Sequence, residues 1–199
     1  MDDTSANGPE IAVSQEASCP DHSWADAAIY TIGHSTRPLE ELIGLLHRYG
    51  VATLADVRAM PRSRRNPQFN IEELTIAVPP TGIAYAHLPR LGGLRRGLGA
   101  GSPNTGWRNA SFRAYADYMQ TADFARGLDE LHALAATGTV ALMCAEAVPW
   151  RCHRSLIADA LLVRGVASHD IQSRTRALPH KLTPFARVDG ERITYPEDP

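Results

Sequence analysis

The stretch GTVALMCAEAVPWRCHRSLIADALLVRG, Gly138 to Gly165, decides the fold. GTVALMC is a short apolar run with the length of a buried strand. In HRSLIADALLVRG, Leu156, Ile157, Ala160, Leu161 and Val163 recur at helical spacing, and Gly165 supplies a stop. A buried strand that passes through a short loop into an amphipathic helix is half of a strand–helix–strand crossover, so the chain reads as α/β. The loop also concentrates chemistry: Cys144, Glu146, Arg151, Cys152, His153 and Arg154 fall within eleven residues.

Outward from this stretch the pattern repeats. AAIYTIG reads as a first strand, followed by a helix over RPLEELIGLLHRYG with Thr36 as N-cap, Pro38 in the first turn and Gly50 as stop. VATLADVR is a second strand. A basic, turn-rich MPRSRRNPQF then leads to a short helix opening at Asn70, and GIAYAHLP is a third strand. The segment between Arg90 and Asn109 carries many Gly, Arg and Pro residues and is longer than a connector needs, which suggests a lid or binding loop. SFRAYADYMQ and TADFARGLDELHALAATG are helical patterns broken near Thr121. After the Gly138 to Gly165 stretch, VASHDI reads as a short strand and TPFARVDGERITY as a β-hairpin around Asp189 and Gly190. The expected architecture is a mostly parallel sheet flanked by helices in three layers, with a C-terminal β-hairpin. Residues 1–26 lack an apolar period and read as a disordered leader, leaving 27–199 as a single α/β domain.

Composition narrows the function classes. The chain has 199 residues, of which 44% are hydrophobic and 21% charged, enough for one well-formed core. No apolar run approaches the roughly 20 residues that span a bilayer, and the N-terminal stretch has no basic or apolar targeting signature. A soluble cytoplasmic protein with no membrane partner is expected. Cys19, Cys144 and Cys152 are too few, and odd in number, for a disulfide framework, so they are read as reduced thiols. Net charge is only −2, yet from Arg58 to Arg113 nine arginines face two acids, which favours an anionic partner. The sequence sets no oligomeric state.

In open parallel sheets ligands bind beyond the carboxyl ends of the strands. That rule gathers Gly33-His34-Ser35, Asp56-Val57-Arg58, Leu91-Gly92-Gly93 and Cys144-Ala145-Glu146 at one edge. Together TIGHS, ADVR with its following PRS, LPRLGG and MCAE…P…CHR resemble the family called domain of unknown function 488. The resemblance runs from Ile29 to Tyr195 and includes the tail HKLTPFARVDGERITYP. It implies an α/β fold with a shared pocket and no established reaction. A looser likeness links the strand-end cysteine and following helix to rhodaneses and cysteine phosphatases. Arg151, however, stands seven residues after Cys144 where the phosphatase signature has six, and Pro149 and Trp150 replace small loop residues.

The leading expectation is a cysteine-dependent transferase or hydrolase acting on an anionic small molecule or nucleotide. Cys144 and Cys152 are candidate nucleophiles because a helix start and nearby cations favour thiolate. Each is equally readable as a small buried residue. His34 and Glu146 are candidate proton carriers. Ser35, Asp56, Arg58, Arg62, Gly92, Gly93, His153 and Arg154 are candidate binding residues, since arginine forks and helix-start N–H groups suit phosphate and carboxylate. Asp56 with Arg58 is equally readable as a structural ion pair, His34 as a turn residue, and Glu146 as the partner of Arg58 or Arg154. A second expectation is a nucleic-acid or nucleotide-binding module without turnover, using the basic 58–113 region. No resident cofactor is expected. A third reading gives Cys144, Cys152, His153 and His34 to zinc or iron. Against it, seven residues separate the cysteines, and adjacent Cys152 and His153 would diverge by about a hundred degrees if both were helical.

Overall fold

A computed structural model describes Trp24 and residues 27–197. The expected leader therefore lies outside the described residues, Trp24 apart, and so does Cys19. Trp24 packs edge-on against His132.

The sheet strands are β1 (Ile29–Gly33), β2 (Thr53–Asp56), β3 (Ala84–His87), β4 (Val140–Cys144), β5 (Ser168–Ser173) and β6 (Arg176–Pro179). They lie in the order β3-β2-β4-β1-β5-β6. The first five run parallel and β6 is antiparallel to β5. A separate hairpin joins β7 (Arg187–Asp189) to β8 (Arg192–Thr194). The α/β class and the C-terminal hairpin are as the sequence indicates. Strand β6 is an addition: RALP carries little apolar content and ends in proline, which suits an edge strand and hides it from a hydrophobicity reading.

Two cores follow from the alternation of side chains along the strands. On one face α1 (Leu39–Arg48) and α2 (Ile71–Ala77) cover Ile32, Leu54, Ala141 and Met143. On the other, α3 (Ala110–Tyr118), α4 (Ala122–Ala135) and α5 (Arg154–Leu162) cover Ala55, Val57, Val140, Leu142 and Cys144. The expected Thr36 cap is absent. Helix α1 starts after Pro38 with no side-chain cap, and Glu40 and Glu41 in its first turn complement the helix dipole instead.

The chain leaves β1 toward β2 and leaves β4 toward β5, so these two central neighbours depart in opposite directions across the sheet. A crevice is expected at such a switch point. Here it is zipped shut, because His34 N–H donates to Cys144 O and Ser35 N–H to Ala145 O, each over 2.9 Å. Gly33 permits the closure: a Cβ there would stand 1.9 Å from Glu146 O. Ser35 turns the chain with φ of 49°, in the left-handed region that a non-glycine residue seldom adopts.

The 90–109 segment is pinned rather than loose. Asp117 accepts from Leu98 N–H, Ser102 Oγ and Asn104 Nδ2, and Tyr195 N–H donates to Asn104 Oδ1. Asp159 on α5 ties down the C-terminal segment by accepting from His180 Nε2, Thr183 Oγ1 and Tyr195 OH. The walls around the sheet's carboxyl edge are thus held by buried carboxylates whose acceptors are filled.

Candidate functional site

With the switch point closed, an opening remains on the α3–α5 face, where a cavity of about 370 Å³ is lined by Arg58, Gly93, Ser111, Phe112, Cys144, Glu146, Arg151, Cys152 and His153 among others. Cys144 ends β4 and is delivered there by strand alternation. Cys152 comes from the turn Pro149–Arg151, which Pro149 starts, and it is extended (φ −134°, ψ 142°) before His153 caps α5. This corrects the expected divergence of Cys152 and His153: Cys152 is not helical, and its Sγ lies 3.8 Å from His153 Nδ1. The sulfurs of both cysteines and a ring nitrogen of His153 all lie within 4.8 Å of one another.

His153 is fixed by its other nitrogen. A carbonyl can only accept, so Nε2 carries a hydrogen and donates to Val57 O over 2.9 Å, which turns Nδ1 toward the sulfurs. Tyr115 packs near the ring and itself donates to Leu91 O. Gly93 is required at the ring's edge, since a Cβ there would approach Nδ1 to 2.5 Å. Gly92 serves packing against Ala59, where a Cβ would meet Cα at 2.8 Å.

Arg154 has no exposed surface. Its Nε donates to Cys152 Sγ over 3.4 Å, Nη1 pairs with Asp170 at 3.3 Å, and Nη2 donates to Glu146 O over 2.7 Å. Asp170 also accepts from Thr31 Oγ1, and its carboxyl is nonetheless pushed up by burial. Buried charge next to sulfur separates the two thiols. The Cys144 hydrogen bond to Cys152 holds the latter down to about 3 against the opposing effect of burial, with His153 and Arg154 acting in the same direction. Cys144 is pushed far up by that same bond, by burial and by the charge on Cys152. One thiolate and one thiol is the stable division, and the Arg154 Nε donor at the Cys152 sulfur favours Cys152 as the thiolate.

His34, Asp56 and much of Arg58 occupy the opposite face. Asp56 accepts from Arg58 Nε at 2.8 Å, from Arg58 Nη2, and from Tyr85 OH at 2.8 Å. Arg58 Nη2 also donates to Phe69 O, and Nη1 to His34 Nε2 over 3.2 Å. His34 is stacked on Phe69, donates from Nδ1 to Ser35 O, and is held down to about 4 chiefly by burial. Both its nitrogens are thus occupied, and it stands across the sheet from the sulfurs. The structural ion pair is the reading the geometry gives for Asp56 with Arg58. Of the five guanidinium hydrogens, one on Nη1 has no partner among the described residues, on a side chain that borders the cavity.

The structure therefore brings together Cys144, Cys152, His153, Arg154, Glu146, Gly93 and Arg58. Glu146 is exposed at the rim. Ser35 and Gly92 act through the backbone, and His34 and Asp56 support Arg58 from behind. Arg62 is elsewhere: it is exposed, pairs with Glu72, and lines a surface depression with Arg64 and Asn70. Sequence reasoning missed Asp170, Ser111 and the rim position of Arg151. Asp170 had a signal, because an arginine at the start of a helix as apolar as LIADALL needs a buried anion, and VASHDI offers one.

Residues 38–161 match the family model described as Domain of unknown function DUF488. No curated protein and no solved structure matches the chain.

Proposed function

We propose, on the premise that this chain belongs to the DUF488 family, that the strand-end cavity is the active site of an enzyme using Cys152 as nucleophile on an anionic small molecule. The observation that carries this is Arg154 Nε at 3.4 Å from Cys152 Sγ, with His153 Nδ1 at 3.8 Å, in the wall of an open cavity. Thiolate is the reactive form of cysteine, and a buried guanidinium and a helix start lower the cost of keeping it. The Cys152 sulfur donates its electron pair to the electrophilic atom of the substrate, and the bond to the leaving group breaks as the new bond forms. Arg151 at the rim and the free Nη1 hydrogen of Arg58 receive the substrate's negative charge. Glu146, exposed at the same rim, is placed to carry a proton between the leaving group and solvent.

The test compares two alkylating agents of opposite character, iodoacetate and neutral iodoacetamide, on Cys152 and on Cys19 of the same chain. The expected result is a several-fold larger iodoacetate-to-iodoacetamide rate ratio at Cys152, reduced by Arg151→Glu. Equal ratios at the two cysteines would remove the anion preference, and turnover retained in Cys152→Ser on any substrate found would remove the nucleophile.

A second reading, nucleotide or nucleic-acid binding without turnover, draws on the exposed Arg62, Arg64 and Arg65. Steep loss of oligonucleotide affinity with salt supports it, and no binding at low salt ends it.

A further inference from the structure

We infer that Cys144, Cys152 and His153 form a binding site for a zinc-like divalent metal, and that its occupancy silences the Cys152 nucleophile.

The donor set is the right kind. Thiolate and imidazole prefer zinc and its borderline-soft neighbours over magnesium or calcium. It is the only group of three or more His, Cys, Asp or Glu side chains with metal-ligand proximity among the described residues. The distances also fit. An ion about 2.3 Å from sulfur and about 2.0 Å from nitrogen, with tetrahedral angles, holds such donors roughly 3.5 Å apart. The observed Sγ to Nδ1 separation is 3.8 Å, and no pair in the group exceeds 4.8 Å.

The surroundings are those of a ligated site. His153 donates its Nε2 hydrogen to Val57 O, which aims Nδ1 at the sulfurs, as histidine ligands are commonly oriented by an outer carbonyl. Arg154 donates to Cys152 Sγ, offsetting part of the charge of two thiolates. The three donors lie in the cavity wall, so a fourth position faces open space where water or a substrate anion would complete the tetrahedron.

The regulatory half rests on Cys152 being the reactive thiolate, because a sulfur whose electron pair is committed to a metal is a poor nucleophile. The test uses the full chain, reduced and freed of metal by chelation, titrated first with Co²⁺ and then with Zn²⁺. Expected are one Co²⁺ per chain, a thiolate-to-cobalt charge-transfer band with the visible absorption of tetrahedral cobalt, and displacement by Zn²⁺. Cys144→Ser, Cys152→Ser and His153→Gln should each weaken binding at least tenfold, while Cys19→Ser leaves it unchanged. Wild-type protein supplies a readout independent of variant folding, since Zn²⁺ should slow Cys152 alkylation at least tenfold without affecting Cys19.

No charge-transfer band, or binding lost with Cys19 instead, overturns the site. Rapid Cys152 alkylation in metal-free protein that Zn²⁺ fails to slow overturns the metal proposal and leaves the nucleophile standing. Metal binding by these three residues, with metal-free Cys152 no faster than Cys19, does the reverse: it keeps the site and removes both the nucleophile and its silencing.

Discussion

Arg154 donates from Nε to the Sγ of Cys152 across 3.4 Å, and it does so from a guanidinium that is wholly buried. In water such a contact would be weak. Shielded from solvent and anchored at its other end by Asp170, it gives a fixed positive neighbour that a thiolate cannot lose to hydration. The pair therefore links packing to reactivity, because the helix start that buries Arg154 also places the charge.

Alkylation of Cys152 should be nearly independent of pH between about 5 and 8, since a thiol held down to about 3 is already ionised throughout that range. A short unstructured cysteine peptide serves as the comparison. Its rate should climb roughly tenfold per pH unit up to the ordinary cysteine range near 8.5. Quantifying both modified peptides by mass spectrometry across the range checks this. Parallel slopes for the two cysteines would show that Cys152 is an ordinary thiol.

Arg154→Met should destabilise the fold by about 3–5 kcal/mol, because it leaves the mostly buried Asp170 carboxylate without its cation. Arg154→Met with Asp170→Asn should recover part of that loss, since no charge is then stranded. Urea midpoints for the two single variants and the double variant close the cycle. A double variant no better than additive would mean that the pair is not coupled.

Gly93→Ala should separate stability from reactivity. Its new Cβ would sit 2.5 Å from His153 Nδ1, so the ring must move and its bond to Val57 O must weaken. A packing cost of about 1–3 kcal/mol is expected. The pH at which Cys152 alkylation reaches half its plateau should rise by about one unit, the equivalent of about 1.4 kcal/mol. Circular dichroism confirms folding while the pH profile of alkylation reads the site. An unchanged profile in a folded variant would show that His153 does not tune the sulfur.

Much of this architecture was legible in the residues. Apolar runs of strand length alternating with helical stripes gave the parallel sheet, and the carboxyl-end rule gathered the Cys144 and Arg58 segments correctly. What periodicity could not supply was the sheet face each residue takes at a strand end. Asp56 and Arg58 share a face, as their spacing requires, but it is the α1–α2 face, whereas Cys144 points to α3–α5. His34 is likewise carried to the Phe69 side. The divergence of Cys152 and His153 required both to be helical, and Pro149 instead begins a tight turn that leaves Cys152 extended. The His153 contact with the Val57 carbonyl has no sequence signal, because any residue supplies that acceptor.

Acid stability should carry the signature of His34. Its imidazole is neutral in the folded protein, held down to about 4 chiefly by burial and further by the Arg58 charge. Unfolded, the same group titrates near 6.5. Above about pH 6.5 both states are neutral at this position and its contribution to stability is complete. As pH falls from there toward 4, the unfolded chain binds a proton that the folded chain refuses, so stability drops through that window and levels off below it. His34→Gln keeps an acceptor for Arg58 Nη1 and a donor for Ser35 O but has no proton to gain. Its melting temperature should be lower than wild type at pH 7, through lost stacking on Phe69, and the gap should narrow steadily toward pH 4. Thermal unfolding of both proteins over that range gives the difference curve, in which the other histidines cancel. A gap that stays constant would mean that His34 is protonated to the same extent folded and unfolded, and that Arg58 does not donate to it.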